Sequence, residues 1–145
     1  ATYPNVDADR EVHEFIYSLY PHKGDWKEGD TVKQAYFLNC PMYYTIQKAH
    51  SGSLPSEFSM VCVDKENVII EVVKGAEDSE DIIIRVYECY NRRTTAKITL
   101  FTEILEVWDC DLLENNNEKL CFEGNSFKFN IKPYEIKTFK LKVRK

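Results

Sequence analysis

Ile82-Ile83-Ile84-Arg85-Val86-Tyr87-Glu88-Cys89-Tyr90 is the stretch that decides the fold. β-branched and aromatic residues dominate it, and Arg85 and Glu88 are its charged interruptions. Such side chains lose freedom in a helix but pack well on a pleated surface, so the run predicts a strand. The same chemistry repeats in both directions. Upstream, Val68, Ile70 and Val72 oppose Ile69, Glu71 and Val73, and before them Phe58, Met60 and Cys62 alternate with Ser59 and Val61. Downstream, further runs cover 96–101, 104–108, 127–131 and 134–143. Polar turn residues fall between the runs, at 64–67, 75–81, 91–95, 115–117 and 124–125. Short strands at this density predict an all-β fold, an antiparallel β-sandwich. In the last run Ile136 and the set Phe139, Leu141 and Val143 have opposite parity, so a bulge near Lys137–Thr138 is expected. Lys132-Pro133 marks a turn or an edge before it, since proline donates no ladder bond.

The first third reads differently. Residues 12–20 are strand-like, with His13, Phe15, Tyr17 and Leu19 on one face. Val32, Ala35, Tyr36 and Asn39 recur at i, i+3, i+4 and i+7, which predicts a short helix ending before Pro41. Gly52 and Pro55 mark the boundary between a first part, 1–54, and a second, 55–145.

Composition narrows the function classes. The 145 residues are 43% hydrophobic and 30% charged, an ordinary balance for a folded protein. A net charge of −5 gives no electrostatic footprint for nucleic acid. No apolar run approaches the ~20 residues of a membrane-spanning helix. Five cysteines, Cys40, Cys62, Cys89, Cys110 and Cys121, form no Cys-x-x-Cys pair, and most sit in strand-like runs as small hydrophobes. That usage favours a reducing compartment, and the expected location is the cytoplasm.

Catalytic signatures are scarce. His13, His22 and His50 lack the i, i+4 spacing of a helical zinc motif, and His13, on an apolar strand face, reads as a core residue rather than a ligand. Glu77, Asp78, Glu80 and Asp81 crowd one hairpin loop, whereas glycoside hydrolysis needs two opposed carboxylates roughly 5–10 Å apart. That cluster reads as a solvated loop. There is no Gly-x-Ser-x-Gly elbow, no phosphate-cradling loop and no cysteine with an evident histidine partner. No catalytic or metal residue is assigned. The turn Pro21-His22-Lys23-Gly24-Asp25-Trp26 is the one candidate. His22, Asp25 and Trp26 there could stack on a sugar ring and bind its hydroxyls at a substrate rim, or Trp26 could plug a seam between lobes.

Read in order, the chain resembles α-mannosidases of glycoside hydrolase family 38. The likeness runs from Thr2-Tyr3-Pro4 and Asp7-Ala8-Asp9 through His13-Glu14-Phe15 and Tyr17-Ser18-Leu19-Tyr20-Pro21-His22-Lys23-Gly24-Asp25-Trp26. It continues through Gly52-Ser53-Leu54-Pro55, Asn67-Val68-Ile69-Ile70-Glu71-Val72-Val73-Lys74 and Arg85-Val86-Tyr87-Glu88. Asp111-Leu112-Leu113-Glu114 and Lys132-Pro133-Tyr134-Glu135-Ile136-Lys137-Thr138-Phe139 close it. The resemblance implies that 1–54 ends a large central β-sandwich region and that 55–145 is a C-terminal β-sandwich domain. It also implies a parent that hydrolyses terminal α-linked mannose with retention, with zinc in a catalytic domain outside this piece and no cofactor within it. The expected partners are that catalytic domain and, through the parent, mannose-containing oligosaccharides; no nucleic acid or membrane is expected, and a homo-oligomer is left open. The competing reading is an autonomous carbohydrate-binding module using Trp26. A piece made to sit against neighbours should expose aromatic side chains, for which Tyr3, Tyr43, Tyr44 and Trp26 are the candidates.

Overall fold

The computed structural model describes residues 10–53 and 55–144, and the chain divides between Tyr43 and Tyr44 into two units. In the second, the described residues form β1 (Val61–Val63), β2 (Val68–Gly75), β3 (Ile82–Glu88), β4 (Thr94–Leu100), β5 (Ile104–Cys110), β6 (Asn116–Lys119), β7 (Phe122–Glu123), β8 (Ser126–Ile131) and β9 (Ile136–Val143). These make two antiparallel sheets, a four-stranded one in the order β1-β4-β8-β7 and a five-stranded one in the order β2-β3-β9-β5-β6. The chain passes between sheets at β1–β2, β3–β4, β4–β5, β6–β7 and β8–β9. Neither sheet can therefore form from one continuous segment. The fold is the all-β sandwich that the alternating runs predict.

Between the sheets lies one core. Ile84 and Val86 of β3 and Phe139 and Leu141 of β9 face Ala96, Ile98 and Leu100 of β4 and Phe127, Phe129 and Ile131 of β8. Phe139 joins the layers, with its ring centroid 5.0 Å from that of Phe127 and 4.7 Å from that of Phe129. Each such ring, fully buried, contributes about 1.5–3 kcal/mol.

The other central feature is polar. Glu88, at the end of β3, is 1% exposed. Its Oε1 accepts from the Asn67 amide and the Tyr90 N–H, both at 2.8 Å, and its Oε2 accepts from the Tyr134 N–H at 3.0 Å. Asn67, itself fully buried, also donates to Thr94 Oγ1 at 2.8 Å, and its carbonyl accepts from the Cys89 N–H. One carboxylate thus ties the start of β2, the β3–β4 connection and the β8–β9 turn. It holds Tyr134 at φ 55, the position of a Lys132–Glu135 turn where glycine is usual.

Several local readings need correction. The last strand has no bulge at Lys137–Thr138: its register against β3 is unbroken from Ile136 to Leu141, and Ile136 simply faces outward. The register shifts fall instead in β2 between Ile70 and Val72, in β5 between Ile104 and Glu106, and in the β5–β6 pairing at Asp109 and Cys110. Phe58 and Met60 precede β1 rather than belonging to it, and Val61 and Val63, not Cys62, pack on the core. Asn116 and Asn117 of the expected turn at 115–117 open β6, an edge strand exposed at every residue and so without an apolar face to announce it. Cys89 and Cys110 are buried, but Cys40, Cys62 and Cys121 are exposed.

In the first unit α1 (Thr31–Asn39) is the expected short helix. Residues 12–20 form no strand, and all of them are exposed, His13 included. A strand exists only with a neighbour to take its backbone bonds, whatever its side-chain pattern. Tyr43 is 100% exposed and Tyr44 87%; Tyr3 lies outside the described residues.

Burial raises the proton affinity of Glu88, but the Tyr134 N–H, the Asn67 amide and the N–H groups of Tyr90 and Arg92 outweigh it and hold its carboxyl below the ordinary value. A lowered native pKa gives stability that is present above the unfolded pKa and lost as pH falls through the native one. Glu88→Gln puts an NH2 against a donor and is expected to cost about 2–3 kcal/mol at pH 7. In urea titrations the gap between wild type and variant should shrink below about pH 4; a gap unchanged with pH would contradict an ionised Glu88.

Candidate functional site

The turn that carries the sequence-predicted site is built almost entirely from its own hydrogen bonds. Asp25 Oδ1 accepts from the N–H groups of Lys27 at 2.8 Å and Glu28 at 2.9 Å, while Glu28 Oε2 accepts from the Asp25 N–H at 3.2 Å. This reciprocal pair is a capping box. The turn closes with Thr31 N–H on the Trp26 carbonyl and Asp30 N–H on that of Lys27, with Asp30 at φ 53, the bond pattern of a Schellman motif. The Glu28 N–H first, then that of Lys27, keep the Asp25 carboxyl below its ordinary value.

Two glycines make the arrangement sterically possible. A Cβ on Gly24 (φ +71) would sit 1.6 Å from Glu28 Oε2, and one on Gly29 would sit 2.4 Å from His22 Nδ1. The His22 imidazole therefore lies against the Gly29 backbone, with the Tyr20 ring 5.5 Å away on its other contact. Trp26 is 39% exposed, and the Lys27 ammonium stands 5.3 Å from its ring centre.

The three candidate residues are thus neighbours in one rigid turn, but they do not converge. Asp25 Oδ1 points into the turn's backbone, His22 rests on Gly29, and only Trp26 offers a broad surface. A cavity of about 410 Å³ lies nearby in the same unit, lined by Ser18, Tyr20 and residues of α1 including Thr31, Gln34 and Leu38; none of His22, Asp25 and Trp26 lines it. Among the described residues no group of three His, Cys, Asp or Glu side chains could hold a metal ion.

Two carboxylate centres escaped the sequence reading. One is Glu88. The other is Glu114, 7% exposed at φ 67 in the β5–β6 connection, which pairs with Lys74 at 2.7 Å and accepts the Glu77 N–H at 3.0 Å. Lys74, above all, and then the Glu77 N–H lower its carboxyl. Asp111 fixes the same connection by accepting from the N–H groups of Leu113 and Asn115, both at 2.9 Å. Each of these carboxylates is occupied by donors of the fold, a structural use rather than a reactive one. Only the polar Asp-x-x-Glu spacing at 111–114 could have hinted at it. In the acidic loop Glu77, Asp78 and Glu80 are exposed and Asp81 is half-buried, in keeping with a solvated hairpin.

Asp25→Ala removes the cap and is expected to cost the turn about 1 kcal/mol. Amide hydrogen exchange at Lys27 and Glu28 should quicken about fivefold while β3 and β9 are unchanged. Unaltered exchange at those two amides would refute the capping role.

The family model described as "Glycosyl hydrolases family 38 C-terminal beta sandwich domain" matches residues 67–139, the span from Asn67 of the buried polar centre to Phe139 of the core. The chain is 32% identical to alpha-mannosidase G of Dictyostelium discoideum over 94% of its length, and 30% identical to alpha-mannosidase 2C1 of Homo sapiens over 92%. It is 26% identical to an alpha-mannosidase of Saccharomyces cerevisiae over 95%. It spans only 13–14% of the length of these curated relatives. With its two antiparallel sheets and that match across half its residues, the chain belongs to the family of glycosyl hydrolase family 38 C-terminal β-sandwich domains.

Proposed function

We propose that this chain is the C-terminal, non-catalytic part of a retaining, zinc-dependent α-mannosidase, where it braces the catalytic domain of the same parent. The observation that carries the reading is the pairing of near-complete coverage of this chain with its 13% share of mannosidase relatives. Within the parent, 1–54 ends a central β-sandwich region and 55–145 is a C-terminal β-sandwich domain. In support of the boundary, the strands among the described residues begin at Val61, while α1 lies before it. Zinc belongs to the parent's catalytic domain. The residues described here do not fit a zinc site, and no step of the chemistry is assigned to them. What the sandwich supplies is a stiff body: an interlocked two-sheet core can hold a neighbouring pocket in shape. The cytoplasm remains the proposed location, supported by the exposed free thiols of Cys40, Cys62 and Cys121.

Immunodepletion tests the parentage. An antibody against this chain should remove terminal α-mannosidase activity from an extract of the source cells and detect a band several times heavier than 17.0 kDa. A 17.0 kDa band with the activity left behind would overturn it.

At the substrate rim the proposed roles are unequal. Trp26 offers the sugar-facing ring because it presents the largest flat surface of the three exposed side chains, while Asp25 and His22 set its position through the capped turn. Trp26→Ala in the intact parent is expected to raise KM for a mannoside about three- to tenfold with kcat within about twofold. An unchanged KM would remove the turn from the rim. Mannoside binding by the separate chain, lost in the same variant, would favour the carbohydrate-binding module instead.

A further inference from the structure

The outer faces of the two sheets are built differently. On the four-stranded sheet the side chains alternating away from the core are Thr95, Lys97 and Thr99 of β4 and Ser126, Lys128 and Asn130 of β8, all polar. Alternation of this kind puts a face in water. On the five-stranded sheet, Ile69 pairs with Tyr87 and Tyr87 with Ile136, which sets three apolar side chains in one cross-strand row facing away from the core. Ile136 is 56% exposed there. Beside this row the β5–β6 connection presents Leu112, 61% exposed, and Leu113, 81% exposed.

These leucines are held in place. Arg85, two residues before Tyr87 on the same face, donates to the Leu112 carbonyl at 3.3 Å and to Thr138 Oγ1 at 3.1 Å. Asp111 takes the Leu113 N–H, and Glu114 is fastened to Lys74 and to the Glu77 N–H. The charges around the patch therefore have partners inside the domain, and covering the patch strands none of them. A rigid apolar surface rimmed by satisfied charges has the make-up of a protein interface.

We propose that this face, Ile69, Tyr87, Leu112, Leu113 and Ile136, docks on the rest of the parent α-mannosidase, the portion beyond the 13% that this chain spans in its relatives. The inference rests on the parentage proposed above. The occupant is intramolecular because tethered chain acts at about millimolar effective concentration, which a separate second copy does not reach. All five residues fall within the span that the family model matches.

Maleimide labelling of the intact parent, read by peptide mass spectrometry, tests it. Leu113→Cys and Ile136→Cys should react at least about tenfold more slowly than native Cys62, which is exposed on the four-stranded sheet. The protection should survive dilution to the monomeric parent. Hydroxyl-radical footprinting of the unsubstituted parent reads Leu112, Leu113 and Ile136 by the same criterion, should either variant fail to fold. Equal reactivity in a parent that still hydrolyses mannosides would overturn the docking face while leaving the parentage intact. Protection that disappears on dilution would overturn it in favour of a second copy.

Discussion

The Glu88 carboxylate sits at 1% exposure with both oxygens accepting from donors that include Asn67, Tyr90 and Tyr134. Those donors flank β2, β3 and β9, neighbours that meet only when the five-stranded sheet is assembled. An ionised carboxylate without them would be strongly destabilising in an apolar seam, and with them it fixes one arrangement of the connections. The apolar core alone resists a one-residue slip, which would turn every buried side chain outward, but a two-residue slip keeps the alternation. Glu88 opposes either, because a slip leaves a buried charge short of donors. The strained backbone at Tyr134 is a consequence, since its N–H must point at Oε2.

A second carboxylate acts by the same logic at the outer surface. Glu114 draws the β5–β6 connection toward Lys74 of β2, although β9 and β3 lie between in the sheet. Ile83, which pairs with Lys74 and Lys140 and points away from the core, is fully buried as a result. Satisfied charges thereby shelter one stretch of the outer face and leave Leu112 and Leu113 presented on a stiff frame. The contrast with the polar face of the four-stranded sheet gives the domain a side made for water and a side made for protein.

In the turn at Pro21–Trp26, two members of the candidate substrate-rim trio also serve local structure. Histidine, aspartate and tryptophan in one short segment read as sugar-binding chemistry. Yet Asp25 caps a turn and His22 covers Gly29. The Asp25-Trp26-Lys27-Glu28 spacing carried that capping signal in plain view.

The sequence by itself determined the sandwich, α1 and most turn positions, because period-two and period-3.6 apolar patterns state which side of an element is dry. It was blind where no such pattern exists. β6 is exposed at every residue, and 12–20 has a strand's pattern without a strand's partner. Parity alone also misread Ile136, which needed no bulge once an outward apolar face was allowed. Only the tertiary structure decided the roles of Glu88 and Glu114, for their donors lie up to 46 residues away in the chain. Long-range hydrogen bonds leave no periodic mark in a sequence; they exist only after the sheets have brought their donors together.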